Sequence, residues 1–190
     1  ITTVFNDEQA LLTGGVDDTS AVREEAYLYN QSIGWSPAAD SGFQRYDHAQ
    51  VTLSDGNVLL VGGLDGASAP TTNCQIYLSF GNSFIAAGAL NLSRGTGVKA
   101  VLLKNGKVLA LGGRADTTCE LYDPLLDSWS FTGNRRYLDG THKSLLFKLR
   151  DGRILMVGGD LTSPSNGETF NGHTEIYDPA QGFWIEGPRL

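Results

Sequence analysis

Four Gly-Gly pairs, Gly14-Gly15, Gly62-Gly63, Gly112-Gly113 and Gly158-Gly159, each close a short apolar run, and they recur at steps of 48, 50 and 46 residues. A period near fifty marks an array of one supersecondary unit, and such a unit buries its hydrophobic faces only against neighbouring copies. In the second copy the run from His48 to Leu53 leads through Ser54-Asp55-Gly56-Asn57 into Val58 to Gly63, then Cys74 to Tyr77, then Phe84. The third runs from Lys99 to Leu103, through Lys104-Asn105-Gly106-Lys107, into Val108 to Gly113, Cys119 to Pro124 and Trp129. The fourth repeats the order with Ser144 to Phe147, Asp151-Gly152, Ile154 to Gly159, Glu175 to Pro179 and Trp184. The first is the most degraded, with Thr3 to Phe5, Asp7-Glu8 in place of the Asp-Gly turn, Ala10 to Gly15, Tyr29 and Trp35.

Each unit reads as four antiparallel strands. Asp-Gly and Asn-Gly tolerate positive φ at both central positions of a turn, which predicts type I′ hairpins between the first two strands. The apolar runs around those turns are nearly continuous, the pattern of strands covered on both faces. The Gly-Gly pairs let backbone approach backbone where sheets crowd. The Tyr and Trp of the two outer strands are expected to pack between adjacent sheets, with the hydroxyl and indole N–H at the margin. Several such sheets packed face to face around an axis make a β-propeller. The reading is all-β, a single domain over 1–190 with units at about 1–45, 46–94, 95–139 and 140–190.

Double glycine, then Tyr-Asp-Pro at Tyr122 and Tyr177, then Trp seven residues after the Tyr at Trp129 and Trp184, resembles the kelch repeat over essentially the whole chain. The sequence is most similar to the bacterial kind, whose repeat opens with Arg and, three residues on, His, as at Arg45 and His48. The third copy keeps Arg94 with Gly97 where His is expected; the fourth keeps His142 with Asp139 in the Arg position. The resemblance implies a kelch-type propeller of four-stranded blades. Residue 1 is Ile, inside the innermost strand of the first unit, so the polypeptide is expected to be processed or excised. Three arrangements stay open: four blades of a larger ring, a self-contained four-bladed ring, and a half-ring that pairs with a second chain. The bacterial resemblance also implies an exported protein, extracellular or periplasmic. Kelch repeats occur in binding scaffolds and in enzymes, so the fold alone names no ligand.

The net charge of −7 is unevenly placed. Residues 1–93 hold two basic and ten acidic side chains; residues 94–190 hold twelve and eleven. An acidic first half argues against nucleic-acid binding, and no apolar run is long enough to span a membrane. Lys104, Lys107, Lys148, Arg150 and Arg153 flank the hairpin turns of the third and fourth units, as a patch for an acidic partner or as ordinary solvated turn residues. Cys74 and Cys119 occupy equivalent positions in neighbouring units, about one sheet spacing of 10 Å apart, and are expected to be free thiols.

Ligand contacts are expected on the face where the loops between second and third strands emerge, since these differ most between copies. Asp17 with Asp18, Asp65, Asp116 and Asp160 stand within three residues of the glycine pairs. They form either a ring for a cation or a basic group, or one Asx turn per repeat. The long loop from Asp160 to His173 offers Phe170 and a polar composition suited to a glycan or peptide. Arg135, Arg136 and Tyr137 are expected beside the same mouth, where a planar donor and a ring suit an acidic or sugar ligand. Copper-radical oxidases of the galactose oxidase type also carry kelch-like propellers, and that resemblance implies two tyrosine and two histidine ligands with one tyrosine joined to a cysteine. Here the histidines are His48, His142 and His173, both cysteines sit on outer strands, and Tyr29, Tyr77, Tyr122 and Tyr177 belong to the repeat. Nucleophile, zinc and phosphate-loop motifs are missing as well. The expectation is a non-catalytic module without cofactor that binds a protein or glycan, with a structural assembly unit or homo-oligomer as the alternative.

Overall fold

A computed structural model of the chain describes residues 2–6, 9–137, 144–158 and 172–190. The chain is all-β, with one four-stranded antiparallel sheet per repeat. Sheet 1 contains β1 (Thr2–Asn6), β2 (Gln9–Val16), β3 (Val22–Asn30) and β4 (Gly34–Pro37). A short β5 (Arg45–Tyr46) precedes sheet 2, which is built from β6 (Ala49–Thr52), β7 (Val58–Val61), β9 (Cys74–Leu78) and β10 (Ser83–Ala87); β8 (Leu64–Asp65) pairs with β5 as a two-stranded ribbon. Sheet 3 holds β11 (Lys99–Leu102), β12 (Val108–Leu111), β13 (Cys119–Asp123) and β14 (Ser128–Thr132). Sheet 4 holds β15 (Leu145–Lys148), β16 (Ile154–Val157), β17 (Thr174–Asp178) and β18 (Phe183–Glu186). Among the described residues no helix is long and apolar enough to cross a membrane.

The inner hairpins differ from the type I′ expectation. Only the glycine is left-handed, with φ of +85° at Gly56, +82° at Gly106 and +96° at Gly152. Gly56 N donates to Leu53 O at 3.1 Å, and Leu53 N to Asn57 O at 2.8 Å, which closes a three-residue loop with a glycine bulge. The cause lies in the preceding residue. Asp55 Oδ1 accepts the Asn57 amide at 3.0 Å, Asn105 Oδ1 that of Lys107 at 3.1 Å and Asp151 Oδ1 that of Arg153 at 3.0 Å. Such an Asx turn holds the acidic or amide residue on the right-handed side and leaves the left-handed step to glycine.

Packing runs row on row. Because side chains alternate along a strand, each sheet has an aromatic row on one face and an aliphatic row on the other. In sheet 3, Val108, Tyr122 and Trp129 align across three strands on one face, and Val101, Leu109 and Leu121 on the other. Val108, Tyr122 and Trp129 pack on Val51, Leu59 and Ile76 of sheet 2. Ile154, Tyr177 and Trp184 of sheet 4 pack on Val101, Leu109 and Leu121 of sheet 3. Val58, Tyr77 and Phe84 of sheet 2 pack on Leu11 and Leu28 of sheet 1. The central strands β7 and β12 are therefore buried along their whole length.

Polar contacts repeat with the same period. The left-handed residue of each outer hairpin, Asn82 (φ +45°), Asp127 (+46°) and Gly182 (+69°), lies five residues after the tyrosine. It is held by the preceding sheet: Ala39 N donates to Asn82 Oδ1 at 3.0 Å, Gly88 N to Asp127 Oδ1 at 2.7 Å and Gly133 N to Gly182 O at 2.8 Å. Tyr77 and Tyr122 donate their hydroxyls to the same Asn82 and Asp127 oxygens, at 3.0 and 2.7 Å.

A buried arginine enters each of the second, third and fourth sheets from the preceding connection. Arg45 donates to Gly62 O at 3.2 Å, to Gln75 Oε1 at 2.7 Å and to the Asn73 side chain. Arg94 donates to Gly112 O at 3.0 Å and, through Nε and Nη2, to Glu120 Oε1 at 3.1 and 3.0 Å. Both members of the Arg94–Glu120 pair are fully buried. Gly62 is equally constrained: a Cβ there would stand 2.6 Å from Arg94 O, and its φ is +57°. Removing one partner of a buried pair strands a desolvated charge, at a cost of about 3–5 kcal/mol. Glu120→Ala is expected to destabilise the fold by that order in urea unfolding. Glu120→Gln is expected to cost clearly less, because Gln75 already serves Arg45 in sheet 2.

Candidate functional site

The loop aspartates are occupied within their own turns. Asp17 Oδ1 accepts the Thr19 amide and hydroxyl at 2.9 and 2.7 Å and the Ala21 amide at 2.9 Å, while Oδ2 pairs with Arg23. Asp65 Oδ1 accepts the amides of Ala67 and Ala69 at 2.8 and 3.0 Å. Asp116 accepts the Thr118 amide and hydroxyl at 3.0 and 2.6 Å and Arg114 Nε at 2.8 Å. Asp18 is exposed beside Asp17. The Thr19 hydroxyl, with the Ala21 amide, holds Asp17 down to about 2. Burial pushes Asp116 up, but the Thr118 hydroxyl and Arg114 outweigh it and hold the carboxyl down to about 2. Among the described residues no three His, Cys, Asp or Glu side chains converge on one point. Asp160, Phe170 and His142 lie outside the described residues.

Arg135 corrects the expectation of a mouth residue. It is buried, with Nη1 3.9 Å from Glu175 Oε2, and Glu175 occupies the β17 position that Glu120 holds in β13. Arg135, rather than a residue at position 139, is thus the fourth repeat's interior arginine. The reason is length: the connection to β16 is several residues longer here than in the other copies, which hides the correspondence from letter-by-letter alignment. Arg136 does reach the surface, with its amide donating to Glu175 Oε1 at 2.6 Å. Tyr137 stacks on His173 with ring centroids 3.9 Å apart, and Arg189 Nη2 lies 3.3 Å from His173 Nε2. A hydrogen bond with Glu186 raises the Tyr137 phenol. Arg136, Tyr137, His173 and Arg189 therefore form one polar surface cluster, to which the sequence had contributed only the first two.

Other chemistry-bearing groups are interior or locally paired. His48 is buried, with Nε2 2.9 Å from Thr13 Oγ1, and burial, reinforced by Arg45, holds its imidazole well below the usual range and so neutral. Cys74 and Cys119 are free and buried, and burial pushes both thiols up to about 11. Lys107 pairs with Asp123 at the end of β13 at 2.9 Å and Arg153 with Asp151 of its own turn at 2.7 Å, so both turn cations are engaged within their own sheets. A cleft of about 400 Å³ opens between the hairpin tips of sheets 2 and 3, lined by Leu53, Asp55, Lys107, Pro124 and Leu125 among others. It lies at the hairpin tips, away from the loops where the sequence placed a ligand.

The least satisfied surfaces are the two ends of the array. Tyr77, Tyr122 and Tyr177 are fully buried, but Tyr29 of sheet 1 is 38% exposed; Trp129 and Trp184 are 7% and 4% exposed against 53% for Trp35. At the other end Phe147 of sheet 4 is 47% exposed, where its counterpart Val51 in sheet 2 is 9%. Repeat letters alone could not flag these residues, because Tyr29 and Trp35 keep the aromatic pair, one residue closer together, and stand apart chiefly in that no described sheet packs against them.

No family model matches the chain. A tRNA wybutosine-synthesizing protein 4 from Candida albicans is 35% identical over 71 residues, which is 37% of this chain and 10% of that protein. The chain thus spans about a tenth of the length of that curated relative.

Asp17 and Asp116 are held near 2, below the ordinary carboxylate value close to 4. Their contribution to stability is therefore complete above about pH 4 and declines as the pH falls toward 2. Asp116→Asn is expected to lower the urea midpoint at pH 7, with the gap to the parent chain narrowing between pH 4 and pH 2; a gap independent of pH would contradict the assignment.

Proposed function

We propose that this chain is a non-catalytic interaction module, an arc of kelch-type propeller blades that works by presenting contact surfaces to another protein surface. The observation that carries the reading is the contrast between recurrent polar groups engaged in the fold and the large apolar side chains that stand exposed at sheet faces among the described residues. The recurrent polar groups, from Arg45, Arg94 and Arg135 to the loop aspartates, are engaged in holding sheets and turns together. Large aromatics left in water at sheet faces mark association surfaces. The match to a tRNA wybutosine-synthesizing protein covers too little of that protein for its role to be carried over, and a net charge of −7 disfavours a phosphate backbone.

A second reading keeps recognition at the loop end. The cluster of Arg136, Tyr137, His173 and Arg189 combines planar donors with a stacked ring, which suits an acidic sugar or carboxylate ligand. On that reading Tyr137→Ala removes retention on an array of acidic glycans while leaving the melting temperature in place.

The main reading is tested on Trp35 in a Trp129→Phe/Trp184→Phe background, where it is the sole remaining tryptophan. If the sheet 1 face is a contact surface, acrylamide quenches Trp35 weakly at working protein concentration and strongly on dilution or after partner removal. Full quenching of Trp35 under every condition would leave that face without a role in contact.

A further inference from the structure

We propose that the cleft between the hairpin tips of sheets 2 and 3 is a docking groove for a lysine side chain on a segment of a partner protein. The proposal rests on the interaction-module reading above and names the chemistry of one contact.

The repeat itself shows what such a groove accepts. Ser54, Lys104 and Arg150 hold the same place in three equivalent hairpins, each following the leucine whose amide closes the loop, at Leu53, Leu103 and Leu149. Between sheets 3 and 4 the groove is covered from within. The Lys104 stem lies across Gly152, so that a Cβ on that glycine would stand 2.7 Å from Lys104 Cδ, and its ammonium donates to Arg150 O. Gly152 is buried beneath it. Between sheets 2 and 3 the residue in the Lys104 position is Ser54, which is too short to cross. The same point over Gly106 meets only Ser54 Oγ, at 3.8 Å, and Gly106 is half-buried. The cleft accordingly widens from about 240 Å³ at the covered junction to about 400 Å³ at this one.

The wider groove keeps the outline of its neighbour and adds an apolar lip. Pro124 and Leu125 stand where Pro179 and Ala180 stand in sheet 4, Leu125 is 95% exposed, and the buried Leu53 lines the floor. The charged lining is Asp55, Asp123 and Lys107. Lys107 pairs with Asp123 at 2.9 Å, while Asp55 is exposed and, among the described residues, bonded only to Asn57 of its own turn. One carboxylate of the groove is thus left without a cation. A partner's lysine supplies both complements: a methylene stem to lie between Gly106 and Leu125, and an ammonium for Asp55 and for the Lys104 carbonyl, the acceptor that matches Arg150 O. An acidic group in the same place would be repelled by Asp55.

The test is amide NMR of the isotope-labelled chain, titrated with the blocked peptide acetyl-Ala-Lys-Leu-amide. Saturable shifts are expected at Gly106, Lys107 and Leu125. Acetylating the peptide's lysine at Nε is expected to weaken binding by roughly ten-fold, the worth of about one charge-assisted hydrogen bond. Ser54→Lys is expected to cover Gly106 from within, as Lys104 covers Gly152, and to abolish the shifts. Lys104→Ser is expected to open the next groove and add a second set of shifts at Gly152 and Ala180. Both substituted residues are exposed, and the amide spectrum itself reports that each variant is folded. Equal binding of the acetylated peptide would overturn the proposal in favour of a purely apolar groove. Shifts that survive Ser54→Lys would overturn it by placing the peptide elsewhere. Absence of shifts in both the parent chain and Lys104→Ser would overturn it as well. Trp35 quenching then separates the two readings: a shielded Trp35 leaves the interaction reading standing, and a Trp35 open under every condition removes both.

Discussion

A four-stranded sheet whose central strand is apolar on both faces needs two neighbours, and the rest of this structure follows from that requirement. Val58 and Leu60 point one way along β7 and Leu59 and Val61 the other, and all four are fully buried because sheets 1 and 3 stand on either side. No sheet here has a core of its own. Stability is shared between nearest neighbours, as in other repeat arrays, so the array is cohesive in its middle and unsatisfied at its ends.

Apolar rows alone would allow sheets to slide, and the polar contacts limit this. Arg45 and Arg94 reach from their connections to the first glycine carbonyl of the next sheet and to an amide or acidic residue on its third strand, and Arg135 lies beside Glu175 on the third strand of sheet 4. Because an unpaired guanidinium in that position is costly, a sheet shifted by one residue loses far more than van der Waals contact. The left-handed corner of each outer hairpin supplies a second fixed point at the opposite end of the sheet, where the preceding connection donates its amide. Together the two contacts set both the spacing and the rotation between sheets.

This distribution of polar groups bears on function. Carboxylates already bonded to local hydroxyls and amides, as at Asp17 and Asp116, have little capacity left for a ligand, and their lowered ionisation reflects turn geometry. The neutral interior His48 and the protonated buried thiols likewise belong to packing. Among the described residues, the polar cluster around Tyr137 and the apolar faces of sheets 1 and 4 stand at the surface.

The sequence by itself determined the number of units, their strand order, the double-faced burial of the central strands and the pairing of Tyr with Trp, all of which follow from local periodicity and turn chemistry. It also contained the Asx turns at Asp17, Asp65 and Asp116, since an aspartate captures amides two and four residues on without help from the fold. The hairpin type escaped it, because Asp55, Asn105 and Asp151 fold onto their own backbone and leave only glycine left-handed. Arg135 escaped it because a longer connection shifts its register, and only three-dimensional packing shows which arginine enters the interior beside Glu175. Exposure at the ends was decided by tertiary structure alone: Tyr29 and Tyr122 carry the same local signal, and what separates them is whether another sheet lies against the ring.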